Sequence, residues 1–487
     1  MMNVTLSLAD FSAISPLLII LSGALLILLI ESFFEVFSKK FSFYLTSLTI
    51  VLAFLAVLYT PVSHNPLLTP WLRFDPLSRV FALLFLGIGL GSTFLARAFF
   101  QQFDLDESIK STSRGEYYFL LLSSVFGLLL IGNANDFLTM FLGIETLSIA
   151  LYVLCGYMKE WKLSHESALK YVFMGALATA FFLYGIALVY GAVGTTTFPS
   201  LATRYHALVA HSDKILFLAG IAFITVGLAF KSAVVPFHVW APDVYDGAPT
   251  PVTAFMAVGT KAGAFASFAI IFLLVLPKFD LMWNAAVSLL ICVTLIYANA
   301  VALRQTHLRR FFAYSGISHA GFLLIPIVSG TPDSMTALMF YLVIYSLATL
   351  GAFAVIAFLD KQSTGVVFHD LHGLFRRSPW LAAILSLCVL TLAGIPPTAG
   401  FFAKFYVFKV AFESGHYALV VVGLLTAVLA AYYYLRIIAI MFTEAPVDAE
   451  APKTSWTAAA VGLVSFAAIG VLSFYPAPLL MLLGSLR

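Results

Sequence analysis

The chain has 487 residues, 62% hydrophobic and only 10% charged, with 26 Lys and Arg against 23 Asp and Glu. Soluble domains carry about 25% charged residues, so water cannot solvate most of this surface and the chain reads as a polytopic membrane protein. No basic run suits nucleic acid, and the three cysteines (Cys155, Cys292, Cys388) are scattered, without the C-x-x-C or Cys/His clusters of iron–sulfur and zinc sites.

A spanning helix needs about 20 apolar residues, and a spanning strand a short alternating run. The runs here are long and unalternated, which predicts an all-α membrane protein with fourteen spans at 14–34, 43–63, 77–98, 116–132, 135–157, 167–192, 214–240, 251–276, 283–303, 311–329, 335–359, 380–411, 417–442 and 455–484. The first twelve residues hold Asp10 and no Lys or Arg, so the first span is expected to be a retained helix rather than a cleaved leader. Every loop is too short for a soluble domain, so residues 1–487 are expected to form one membrane domain. Loops after odd-numbered spans hold most of the Lys and Arg, among them Lys39, Lys40, Lys110, Arg114, Lys159, Lys162, Arg304, Arg309, Arg310, Lys361, Arg376, Arg377 and Lys453. The positive-inside rule places these loops in the cytoplasm and both termini outside.

Two five-span stretches resemble each other weakly. Tyr171 and Leu177-Ala178-Thr179 precede Tyr341 and Leu347-Ala348-Thr349 in one frame, and Val235-Pro236 has a counterpart in Ile395-Pro396. An odd-numbered unit repeated once is inverted in the membrane, so spans 4–8 (about 116–276) and 9–13 (about 283–442) are expected to be inverted repeats, a transporter pattern. Chance similarity between apolar helices is the alternative.

Four ionisable residues fall deep within the spans: Glu145, Lys231, Lys261 and Lys404. Glu145 follows Asp136 by nine residues, about 13 Å along a helix, which is near mid-membrane. A mid-membrane charge costs roughly 2.5–3.5 kcal/mol on insertion scales. A lysine amine is tunable there: out of water it holds its proton less tightly, and beside a carboxylate more tightly. Glu145 with Lys231 would make a proton switch of this kind. A static ion pair fixing helix packing is the structural alternative, and it leaves Lys261 and Lys404 unexplained.

Pro236 follows Lys231 in the seventh span, and Pro396-Pro397 precede Lys404 in the twelfth. Proline removes one helix hydrogen bond and crowds the preceding turn, so both spans should break. Freed carbonyls in lipid need partners, and water, the Ser232 hydroxyl or a lysine head is expected to serve; a simple kink is the bland alternative. Lys170, early in the sixth span, either feeds protons or is interfacial. His319, mid-span, could relay protons between Lys261 and Lys404, or be a hydrogen-bonded core residue. His238 is expected to anchor the Pro236 break. Asp243 and Asp246 are expected as loop ligands of backbone amides or as partner contacts, and Arg436 as a headgroup contact.

The stretch Gly227 to Ala262 (G-L-A-F-K-S-A-V-V-P-F-H-V-W-A-P-D-V-Y-D-G-A-P-T-P-V-T-A-F, ending in Lys261-Ala262) is similar to the subunit N family of proton-translocating NADH–quinone oxidoreductase, counterpart of subunit 2 of mitochondrial complex I. Ala313 to Gly321 and Leu392 to Tyr406 agree, and the likeness runs along essentially the whole chain. Ala241-Pro242-Asp243-Val244-Tyr245 matches subunit N where related antiporter-like subunits commonly read L-P-D-A, and lysine at 404 argues against subunit M. The resemblance implies a non-redox subunit of a translocase, with Glu145, Lys231, Lys261 and Lys404 transferring protons and Lys170 and His319 as a secondary path. It implies no cofactor and no metal in this chain, with NADH, FMN, iron–sulfur clusters and quinone in partner subunits. It also implies a bacterial inner membrane location. A subunit of a multisubunit cation/proton antiporter is the rival. Phe340, standing where Lys170 does in the first repeat, implies that the halves are not equivalent.

Overall fold

The computed structural model describes residues 7–33, 40–63, 65–104, 114–207, 211–277, 279, 281–360, 365–443 and 455–485. Lys39, Lys110, Lys361 and Lys453 lie outside the described residues. Helix dominates and no strand forms among the described residues, as the unalternated apolar runs require.

The chain opens with six long helices: α1 (Leu8–Phe33), α2 (Phe41–Tyr59), α3 (Pro76–Asp104), α4 (Gly115–Asn133), α5 (Phe137–Cys155) and α6 (Lys162–Val193). A short α7 (Phe198–Arg204), not expected from the sequence, leads into α8 (His211–Ser232) and α9 (Trp240–Gly247). Residues 250–275 form one rod, in which π turns at Met256–Thr260 and Ile270–Val275 interrupt α10 (Thr250–Phe255) and α11 (Lys261–Ala269). Then follow α12 (Leu281–Ala302), α13 (Leu308–Ser329), α14 (Ser334–Leu359), a single-turn α15 (Leu374–Arg377), α16 (Pro379–Ala393), α17 (Ala399–Glu413), α18 (Tyr417–Thr443), α19 (Trp456–Phe474) and α20 (Ala477–Gly484).

Among the described residues 13 helices are long and apolar enough to span a bilayer. The expected twelfth span is the one missing from that number. It is split into α16 and α17, each 15 residues and too short alone. The expected seventh span, 214–240, is also corrected: its helix stops at Ser232, and the chain resumes helix only at Trp240. The fourteenth ends at Phe474, and α20 is a separate piece.

The helices carrying Lys261 and His319 lie innermost. The most apolar windows of Thr250–Val275, Leu308–Ser329 and Ser334–Leu359 are 89%, 94% and 89% buried, against 33% for Lys162–Val193 and Tyr417–Thr443. Large apolar side chains such as Phe173, Leu177, Leu425 and Val428 are exposed along α6 and α18, which suits a lipid-facing rim. Lipid gives helices no hydrophobic reason to associate, so close backbone contact has to hold them. Two glycine pairs supply it: a Cβ on Gly127 of α4 would stand 2.6 Å from the Gly143 carbonyl of α5, and one on Gly185 of α6 2.6 Å from the Gly220 carbonyl of α8.

Candidate functional site

The depth of Glu145 is set at the start of α5. Asp136 caps that helix, its Oδ1 accepting from the amides of Leu138 (2.6 Å) and Thr139 (3.4 Å), and its Oδ2 accepts from the Thr196 hydroxyl at 2.5 Å. Two turns further on, Glu145 accepts from the Thr179 hydroxyl at 2.6 Å. Lys231, in the last turn of α8, donates to the Ser148 hydroxyl at 2.6 Å and reaches Tyr152 OH at 3.5 Å. Ser148 lies one turn beyond Glu145 on α5. The carboxylate and the amine therefore share one wall, yet no ion pair within 4 Å joins them; each holds a hydroxyl instead. Sequence reasoning missed Thr179 and Ser148, because hydroxyls are common in membrane helices and only the crossing of α5, α6 and α8 gives these a partner.

The break after Lys231 is satisfied from several sides. The Ser232 hydroxyl bonds back within α8 to the carbonyls of Leu228 (2.9 Å) and Ala229 (3.2 Å), the latter also taking the Val234 amide at 2.9 Å, rather than to a carbonyl freed by Pro236. The Phe230 carbonyl takes the Trp240 indole N–H at 3.0 Å, and the Val235 amide donates to the Thr294 hydroxyl at 3.1 Å. Among the described residues no lysine head serves this break. At the second break it does: Lys404 donates to the Ala393 carbonyl, the last of α16, at 2.6 Å. Gly394 ends α16 with φ +77°, and a Cβ there would stand 2.7 Å from Lys404 Cδ. The left-handed turn thus needs glycine for its backbone and for the lysine beside it.

Lys261 follows the first π turn, and its amine donates to Tyr245 OH at 3.0 Å. Tyr345 OH bonds the Ala257 carbonyl inside that turn at 3.0 Å. Single π turns often mark functional positions; this one is invisible in a uniformly apolar run. His319 on α13 is held at both ring nitrogens, Nδ1 by Tyr341 OH at 2.8 Å and Nε2 by Tyr434 OH at 3.3 Å, and Tyr434 OH bonds Ser315 Oγ. Lys231, Lys261 and Lys404 are 7%, 1% and 5% exposed.

Two small cavities lie between these groups. One is lined by Ser148, Tyr171, Lys231 and Thr260, the residue before Lys261; the other by His319, Tyr341, Tyr345, Thr391 and Lys404. Each has room for about one water molecule. Tyr171 and Tyr341, the first matched pair of the two five-span stretches, each line one cavity.

One expectation is corrected. Asp243 and Asp246 are not loop ligands of amides. They lie in α9, where Asp243 pairs with Lys170 at 2.7 Å and Arg310 at 3.0 Å, and Asp246 stands 3.8 Å from His307 and 3.9 Å from Arg310. Lys170 also pairs with Glu166 at 2.7 Å, so its amine sits in an ion-pair network, well apart from the buried amines in partner and exposure. The His238 imidazole interacts with the backbone of Pro236, in keeping with the anchoring expected of it, and packs edge-on against Tyr297 at 4.8 Å. Among the described residues no group of His, Cys, Asp and Glu forms a metal site. Arg436 lies over the Phe368 ring at 5.5 Å.

Residues 134–430 match the family described as NADH:quinone oxidoreductase/Mrp antiporter, TM. The chain is 60% identical over its full length to the whole of NADH-quinone oxidoreductase subunit N of Protochlamydia amoebophila. It is 36% identical to subunit N of Chloroflexus aggregans, over 99% of this chain and 98% of that one. Among solved structures, a chain of respiratory complex I from Thermus thermophilus superposes with a TM-score of 0.80 at 32% identity, over 96% of this chain and 98% of that one. A chain of the Mrp complex from Dietzia shares the fold at 20% identity, TM-score 0.85, over 99% and 97% of the two chains.

Proposed function

Because this chain belongs to the NADH:quinone oxidoreductase/Mrp antiporter transmembrane family, we propose that it is the proton-translocating subunit N of an NADH:quinone oxidoreductase. Its own residues move protons; NADH, FMN, iron–sulfur clusters and quinone are handled by partner subunits. The complex sits in a bacterial inner membrane, with the α5–α6 loop in the cytoplasm and both termini outside. Residues 116–276 and 283–442 are its two inverted halves.

One observation carries the reading. Lys231, Lys261 and Lys404 are buried, and each donates to a neutral oxygen: a serine hydroxyl, a tyrosine hydroxyl and a backbone carbonyl. A static buried salt bridge would place a carboxylate within 4 Å of each amine, and among the described residues none is there. Amines beside neutral partners and water-sized cavities can lose and regain a proton without breaking a charge pair. Glu145 and Lys231 form the first station and Lys261 the central one. Tyr341, His319 and Tyr434 form a hydrogen-bonded row alongside Lys404. Moving one charge against 100 mV takes about 2.3 kcal/mol, so the drive comes from the redox partners.

The test uses the assembled complex in proteoliposomes. Lys231→Ala and Lys404→Ala each abolish NADH-driven proton uptake while subunit content stays normal. Unchanged uptake in both would overturn the reading. Sodium/proton exchange by the purified chain without redox subunits would replace it with an antiporter.

A further inference from the structure

The short helix α9 touches both of the first two amine stations. At its start, the Trp240 indole donates to the Phe230 carbonyl, the residue beside Lys231, at 3.0 Å. At its far end, Tyr245 OH receives the Lys261 amine at 3.0 Å. The helix is detached from α8 by the break at 233–239, so its position is not inherited from the rod before it. Side-chain tethers hold it, among them the Ser167 hydroxyl on the Asp243 carbonyl at 3.4 Å and the Thr253 hydroxyl on the Tyr245 carbonyl at 3.0 Å. Asp243 pairs with Lys170 of α6 at 2.7 Å and with Arg310 of α13 at 3.0 Å, and Arg309 donates to the Ala248 carbonyl at 2.8 Å. Glu166, Asp246 and His307 complete the charged surroundings. α9 also lies close on α6: a Cβ on Gly247 would stand 2.4 Å from the Leu163 carbonyl.

We propose that Asp243 is a positioning residue for the Lys231-to-Lys261 proton step, acting through α9 and Tyr245. Its carboxylate ties α6 of the first half to α13, which carries His319, and holds the helix that sets the Tyr245 hydroxyl against the Lys261 amine. The inference rests on the proton-relay reading above and adds the element that keeps two stations in register.

The test compares Asp243→Asn, Tyr245→Phe and the double variant in the purified, assembled complex, with subunit content checked on native gels. Each single variant lowers NADH-driven proton uptake about tenfold, the factor that one charge-assisted hydrogen bond commands. The double variant falls no further than the lower single, because both changes break one linkage. Asp243→Glu restores uptake. Arg310→Gln removes one tether while leaving the carboxylate, and gives the same non-additive pattern with Tyr245→Phe where Asp243→Asn does not assemble. Wild-type uptake in Asp243→Asn, or a double variant falling by the product of the singles, overturns the proposal. Lys231→Ala and Lys404→Ala separate the two readings. Should they stop uptake while Asp243→Asn and Arg310→Gln leave it intact, this inference alone falls.

Discussion

Ser148 stands at the point where a carboxylate and an amine could have met directly. Its hydroxyl accepts the Lys231 amine while Thr179 holds Glu145. Its single O–H donates to the Ile144 carbonyl at 2.5 Å, so toward Lys231 the hydroxyl acts as an acceptor and favours the protonated amine. Ser148→Ala removes that partner and leaves a buried amine short of a hydrogen bond, a cost of about 1–3 kcal/mol. We expect proton uptake by the assembled complex to fall roughly tenfold, with assembly unchanged; normal uptake would show that Lys231 works without Ser148. Tyr341 plays a like part for His319. Tyr341→Phe frees Nδ1, and the imidazole NMR signals of a labelled His319 should report a changed tautomer balance. An unchanged spectrum would mean that Tyr434 alone fixes the ring.

At the scale of elements, the two breaks solve one problem by different means. Both end a helix inside the apolar zone and must satisfy freed carbonyls. The first uses an indole, which leaves the Lys231 amine free for α5. The second uses the lysine itself. Lys404 therefore reports directly on the geometry of its break, whereas Lys231 is insulated from its own. Gly394→Ala tests the second arrangement. The added methyl meets both the left-handed backbone and the Lys404 stem, and we expect a loss of about 1–3 kcal/mol, read as a lower thermal-inactivation midpoint and weaker proton uptake. A variant as stable and active as the parent would show that the turn relaxes without cost.

At the scale of the whole molecule, the most buried helices carry Lys261 and His319, and helices with exposed apolar faces surround them. In the proposed relay, burial keeps bulk water from short-circuiting these residues. Fourteen spans among the described residues, counting α16 and α17 as one, accord with the proposal that both termini lie on one side. Tags at the two ends should both react with a membrane-impermeant reagent added outside intact cells with the outer membrane opened. Labelling of one end alone would refute the even count.

Composition and apolar run length determined a helical membrane bundle, since only helices and closed barrels satisfy a backbone in lipid and these long runs do not alternate as barrel strands do. The same physics made Glu145, Lys231, Lys261 and Lys404 stand out, because charge in an apolar run is costly wherever the run folds. Pro236 and the Pro396-Pro397 pair marked the breaks, since proline acts locally. Tertiary structure decided the rest. That Thr179 holds Glu145, that Ser148 holds Lys231, that Tyr245 holds Lys261, and that Asp243 binds Lys170 and Arg310 are contacts between helices far apart in sequence. Hydroxyls and tyrosines carry no net charge, so they leave no hydropathy signal. Their roles come into being only when crossing helices bring an amine or an imidazole within hydrogen-bonding distance.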